Sequence, residues 1–344
     1  MNFVLVVLSL FFSLIIFELY LQVVDEVFTT PKPGSIWAED SDYPLNYFEQ
    51  PLEFGSGARP GTYRAHKIAP NGLDVFNVEY DIGSDGFRTT SGKTDVAHRV
   101  NFFGGSFTFG EALQSGETLP SHFKSFLSDY YVKNFGFHGY GAHEALAILE
   151  SDHDTKGDIN FLLTAPWHAE RMRCIAGSSS SSSPVYRLNK YDKVMRSGNC
   201  LSEINSGNSF KRDFHELTYI VGGSKLATLY NRTSKRKAES IRDDEIDLYI
   251  KVIAKISFLS KNRGQKFIVG YIKSENDYFK DTKFSNSIIM DRIRKAGAHV
   301  IDMTLSVDAE TLLDKYVVHP EYERHPSSLA NYERAKLLSD FVKN

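Results

Sequence analysis

Phe102-Phe103-Gly104-Gly105-Ser106-Phe107-Thr108-Phe109-Gly110 is the stretch that decides the fold. It closes a short apolar run from Val100 to Phe103, which has the length and character of a buried strand. Two glycines then let the backbone turn sharply, and a serine opens whatever follows. Such a serine has two readings. It caps a helix behind a glycine-rich turn, or it presents an exposed hydroxyl beside a free N–H. The G-x-S-x-G elbow is not matched, because Thr108 stands where its second glycine would be.

Working outward, strands and helices alternate from His98 to the C-terminus. Tyr131-Val132 leads a second strand into Asn134-Phe135-Gly136. Further strands are expected at Ile159 to Thr164, Phe267 to Ile272 and His299 to Met303. Helical spacing marks Thr118 to Tyr130, Gly141 to Leu149, Ile246 to Leu259, Ser287 to Lys295 and Leu329 to Val342. Alternation of this kind builds parallel βαβ units with right-handed crossovers. The expected fold is α/β, a flavodoxin-like α/β/α sandwich on a five-stranded parallel sheet, with functional loops at the strand C-termini. Residues 98–344 would form this domain, with an aperiodic insertion at about 172–235. Residues 25–97 read as a stalk and a small β-rich lead-in, in which Asp85-Gly86-Phe87-Arg88 is a turn followed by a docking segment.

Residues 1–24 are expected to be a membrane helix. Phe3 to Phe17 is uncharged and apolar, and Leu19 to Val24 extends the run past Glu18 to the roughly 20 residues a spanning helix needs. An uncleaved signal anchor is preferred to a cleaved signal, because no basic leader or A-x-A-like site is present. The body would then lie outside the cytoplasm, on the periplasmic side of a bacterial inner membrane. Cys174 and Cys200 bracket the serine run 178–183. They are either a disulfide in an oxidising compartment or two separate buried thiols. No CxxC or Cys/His cluster suggests a metal, and no cofactor is expected. The net charge is −3, and the run Ser234-Lys235-Arg236-Lys237 is followed at once by Asp243, Asp244 and Glu245. It reads as a solvated face, so no nucleic-acid partner is expected. Asn231-Arg232-Thr233 matches the glycosylation sequon, a pattern that also arises by chance.

Four segments carry chemistry, in a telling order. The first is the Ser106 turn. The second, Asn134-Phe135-Gly136-Phe137-His138-Gly139-Tyr140-Gly141, is another strand-to-glycine turn, either a plain β-to-α connection or a source of backbone N–H groups for the same pocket. The third, Ala165-Pro166-Trp167-His168-Ala169-Glu170-Arg171, follows strand three. His168 there is either a surface residue stacked with Trp167 or a ring N–H donor reaching over the pocket. The fourth, Glu321-Tyr322-Glu323-Arg324-His325-Pro326-Ser327-Ser328, precedes the last helix. Its residues are either helix-entry positions or a base with its orienting acid.

Together these segments resemble the four blocks of the SGNH/GDSL hydrolase family over roughly residues 98 to 344, and the anchor and lead-in are similar to a membrane-anchored bacterial branch that includes glycan O-acetyl esterases and acetyltransferases. The resemblance implies Ser106 as nucleophile, His325 as base, Glu323 as acid, and an oxyanion hole of Ser106, Gly139 and His168. It departs from the family at three places. Gly105 replaces the Asp of the serine block, His168 replaces an Asn, and Glu323 stands two residues before the histidine where an Asp three before is usual. Glu321 and Asp314 are alternative acids, and His319-Pro320 is a competing histidine. The implied activity is ester cleavage through an acyl-serine, on O-acyl and above all O-acetyl groups of a cell-envelope glycan. Two alternatives stay open. One is an O-acetyltransferase on the same triad, working with a partner membrane acyltransferase. The other is a catalytically degenerate glycan-binding or scaffold protein.

Overall fold

The computed structural model describes residues 34–43, 47–90, 95–151, 153–174, 182–202 and 241–344, together with Ser13, Ile16, Phe17 and Tyr20. The chain divides into two compact units, Met1–Gly34 with Ile204–Ser240, and Ser35–Glu203 with Ile241–Asn344. The second holds nearly all the described residues. The expected membrane helix, the basic run and the sequon lie almost wholly outside them. Among the described residues, no helix is long and apolar enough to cross a membrane.

Five strands form the expected parallel sheet: β6 (His98–Gly104), β7 (Tyr130–Gly136), β8 (Ile159–Thr164), β11 (Lys266–Tyr271) and β12 (His299–Asp302). Their spatial order is β12-β11-β8-β6-β7. Counted along the chain this is 2-1-3-4-5, the flavodoxin-like order. Each strand lies parallel to its neighbours, with Phe102 opposite both Phe161 and Asn134.

Side-chain alternation splits the apolar residues of these strands into two cores, one on each face. Val100, Phe102, Phe161, Leu163 and Ile268 meet helices α2 (Leu119–Phe126) and α7 (Ser328–Lys343) through Leu119, Phe123, Ala335 and Leu338. Phe103, Phe135, Leu162, Phe267 and Val269 face the other way. They meet α3 (Ala142–Glu150), α4 (Asp243–Asn262) and α5 (Asn286–Lys295) through Leu146, Ile250, Ile253 and Ile289. A strand buried on both faces reads as a continuous apolar run, and β8, Ile-Asn-Phe-Leu-Leu-Thr, is buried at every position. Its one amide, Asn160, is satisfied by Asn101, Ser260 and Gln265.

The segment before β6 is antiparallel. Strands β1 (Ile36–Trp37), β4 (Gly61–Ile68) and β5 (Asp74–Ile82) form one sheet, and β2 (Phe48–Leu52) pairs with β3 (Gly55–Ala58). Tyr43, Tyr47, Phe54, Val78, Tyr80 and Phe87 join the same core as α3 and α4. Within the stretch expected to be an insertion, β9 (Pro184–Leu188) and β10 (Val194–Asn199) make a hairpin, and a disulfide joins Cys174 to Cys200. After the short helix α6 (Ala309–Lys315), a further hairpin pairs β13 (Val317–His319) with β14 (Glu323–Pro326). The fourth segment is therefore a strand rather than a helix entry.

Candidate active site

β6 delivers Ser106 to the C-terminal edge of the sheet. Gly104 has φ +149°, and a Cβ there would lie 2.3 Å from Thr108 Oγ1 and 2.8 Å from the Leu163 carbonyl oxygen. At Gly105 a Cβ would lie 2.5 Å from Arg171 Nη1 and 2.8 Å from the Tyr140 carbonyl oxygen. The second clash is with backbone, so the Asp of the resembled block has no room here. Ser106 is the first residue of the one-turn helix α1 (Ser106–Phe109), and Gly105 holds the capping position. The serine is thus not the cap, and as the first helical residue its N–H has no intrahelical partner.

β14 brings the other two side chains. Residues two apart on a strand point to the same side, so Glu323 and His325 face Ser106 together. This explains why a Glu-x-His spacing serves where a helical entry would need a different one. His325 Nε2 stands 2.9 Å from Ser106 Oγ. His325 Nδ1 donates to Glu323 Oε1, and Lys67 of β4 donates to Glu323 Oε2 at 3.1 Å. Of the three carboxylates weighed from the sequence, Glu323 is the one hydrogen-bonded to His325. Asp314 sits in α6, and Glu321 in the β13–β14 turn. The competing His319 ends β13, and its Nδ1 accepts from the N–H groups of Glu321 and Tyr322, each at 3.2 Å.

The electrostatics follow from these contacts. Burial by itself would push the His325 pKa down. The Glu323 hydrogen bond and the charges of Glu111 and Glu323 outweigh it, and the pKa stands above the ordinary histidine value. Burial would likewise raise Glu323, but the His325 hydrogen bond, the His325 charge and Lys67 bring it below the usual carboxylate value. The edge of the Phe107 ring covers the imidazole, with 5.6 Å between ring centres.

A narrow cleft opens beside Ser106, lined by Gly105, Phe107, Leu163, Trp167, His168 and Arg171 among others. His168 is 7% exposed, which removes the surface-residue reading. Burial, then the charges of Arg171 and His143, hold its pKa well below the ordinary value, so the ring is neutral. Its Nδ1 is 3.1 Å from Thr164 Oγ1, and that hydroxyl is 2.9 Å from the Tyr249 hydroxyl. Gly139 has φ +75° and open space where a side chain would start, but it is not one of the residues lining this cleft. The structure therefore joins Ser106, His325 and Glu323 directly, sets His168 on the same cleft, and leaves Gly139 to the side. Asn134 ties the second turn to the first, its Nδ2 donating to the Thr108 carbonyl at 3.2 Å.

Sequence reasoning missed Lys67, Thr164, Tyr249 and a pair beside the triad, Glu111 and His138, and gave Arg171 of the third segment no role. Glu111 and His138 both lie in or next to the two quoted glycine turns, which was the available signal. Lys67 and Tyr249 come from remote strands and helices and left none. Among the described residues, no group of His, Cys, Asp and Glu is placed to hold a metal.

No protein-family model and no curated protein matches the chain. Solved structures do resemble it. One is a member of the lipolytic G-D-S-L family from Veillonella parvula, 12% identical, with a TM-score of 0.38 over 72% of this chain and 100% of that one. Another is the psychrotrophic esterase EstA from Pseudoalteromonas, 10% identical, with a TM-score of 0.36 over 72% and 97%. A third is the acetyl xylan esterase AlAXEase, 14% identical, with a TM-score of 0.36 over 71% and 99%. Likeness at that level carries no argument about chemistry, which rests on the site alone.

Proposed function

We propose that the chain is a serine-dependent esterase that works through an acyl-serine. The observation that carries this reading is the unbroken line from Ser106 Oγ through His325 to Glu323. His325 Nε2 takes the serine proton as Oγ attacks the ester carbonyl, and Glu323 steadies the imidazolium. The proton passes to the departing alcohol, leaving acyl-Ser106. Water then attacks the acyl group, its proton passing through His325 back to Ser106 as the carboxylic acid leaves.

The oxyanion is held by the Ser106 N–H together with His168, both on the cleft. A buried tyrosine hydroxyl needs an acceptor. Tyr249 finds it by donating to Thr164, which then donates to His168 Nδ1. That order leaves the His168 proton on Nε2, where a donor is needed. Losing one such donor typically costs about 10²–10³ in rate.

The substrate proposed is a small acyl ester, above all an O-acetyl group on a cell-envelope glycan. The cleft has a volume of about 10 Å³, room for about one water-sized group, and Phe107, Leu163, Trp167 and Ile272 give it apolar walls. The apolar N-terminal run supports an envelope location. A scaffold or glycan-binding protein has no need of a histidine within reach of Ser106. p-Nitrophenyl acetate turnover tests the class, and acetate release from O-acetylated glycans tests the substrate, each against Ser106→Ala. Equal turnover by wild type and variant sinks the esterase reading. Release of long acyl chains in preference to acetate sinks the substrate.

A further inference from the structure

Glu111 lies just beyond the helix that Ser106 opens, and the mechanism above leaves it unused. Its Oε2 stands 3.5 Å from His325 Nε2, the nitrogen that exchanges the serine proton. The same oxygen is 2.9 Å from His138 Nδ1. A carboxylate can only accept, so that ring nitrogen donates. The opposite nitrogen, His138 Nε2, is 3.1 Å from the hydroxyl of Tyr47, which is fully buried in the lead-in core. Phe109 packs 4.2 Å from the His138 ring, centre to centre. Glu111 Oε2 is therefore held in place by His138 while lying within reach of the base. It also stays ionised. Burial opposes its charge, but His138, His325 and Lys67 bring its pKa down to about 2.

We propose that Glu111 is a second catalytic carboxylate, fixed by His138 and Tyr47, that stabilises the His325 imidazolium from the Nε2 side while Glu323 does so from the Nδ1 side. The proposal rests on His325 being the base. A carboxylate near Nε2 is unfavourable to the lone pair of neutral imidazole and favourable to the cation. Two opposite consequences follow. The resting base stays protonated to higher pH, which slows the enzyme in acid. The imidazolium that forms as Ser106 loses its proton is stabilised, which speeds the reaction once the base is free. The other charged groups facing His325 are Glu323, which also favours the cation, and Lys67, which opposes it.

The test is the pH dependence of p-nitrophenyl acetate kcat/KM in wild type and Glu111→Gln. The variant's acid limb is expected about one unit lower, and its plateau about tenfold lower, so the two profiles converge in acid and separate to about tenfold at the plateau. A limb that does not move, or a uniform loss at every pH, overturns the proposal. Should the glutamine variant not fold, Glu111→Asp carries the test, since drawing the charge back moves the limb partway in the same direction; an unmoved limb again overturns it. An NMR titration of the His325 ring needs no substrate. A His325 pKa unchanged by Glu111→Gln rejects the proposal whether or not the protein is an esterase. Equal turnover by Ser106→Ala rejects the esterase reading alone.

Discussion

At the scale of single residues, the site is a line of charge and proton transfer in which the base and the acid are each held twice. Glu323 is bonded to His325 and to Lys67. Glu323→Gln keeps the shape, removes the charge and offers an N–H where an acceptor is needed, so the imidazole loses both its tautomer and its stabilised cation. Its kcat is expected to fall by about 10²–10⁴, measured by steady-state turnover; a fall of less than threefold means another carboxylate serves. The sign of the pH dependence is also set here. His325 acts only when neutral, and its pKa stands above the ordinary 6.5. Activity therefore rises with pH through a midpoint above 6.5, and a midpoint below it contradicts the electrostatics.

At the scale of elements, the β6 turn and the β14 strand do the positioning. Gly105→Ala places a methyl against the Tyr140 carbonyl, and carbonyl or serine must move. A displacement near 1 Å costs about a hundredfold in rate, so this variant is expected to fold with kcat reduced about that much; near wild-type activity contradicts the tight approach. The central strands β6, β8 and β11 were legible from the sequence because burial on both faces made each a near-continuous apolar run, and the edge strands β7 and β12 showed only as the short runs Tyr131-Val132 and Val300-Ile301. Four of the five long helices were legible within three residues of their observed ends. The first was placed too far, at Tyr130, because its expected span ran into Leu127 and β7, whose apolar residues continue the pattern. The β13–β14 hairpin was not legible. Its strands are three and four residues long, and Glu-Arg-His-Pro has no apolar alternation to read. Yet that hairpin gives the Glu-x-His spacing its meaning.

At the scale of the whole molecule, the antiparallel strands before β6 supply parts of the site. Arg88 is 1% exposed, and its guanidinium donates to the carbonyls of Phe109, Gly110, Leu113 and Glu79, so it clasps the loop that follows the nucleophile. Arg88→Ala removes all four of these bonds, three of them buried, and is expected to cost about 3 kcal/mol, read from urea unfolding; a change under 1 kcal/mol contradicts the clasp. Lys67→Met removes a cation that disfavours protonated His325, so its acid limb is expected to move to higher pH, opposite to Glu111→Gln. An unchanged limb separates Lys67 from the titration. Arg88 stood in a segment the sequence marked for docking, whereas Lys67 and Tyr47 reach the site only through tertiary packing of a sheet with no local signature of chemistry.

The most direct measurement is labelling of the intact protein with a fluorophosphonate, followed by mass spectrometry of the digest. One equivalent of label is expected on the peptide carrying Ser106, lost in Ser106→Ala and strongly slowed in Glu323→Gln. A folded protein that takes no label at Ser106, or takes it on another serine, contradicts Ser106 as the nucleophile.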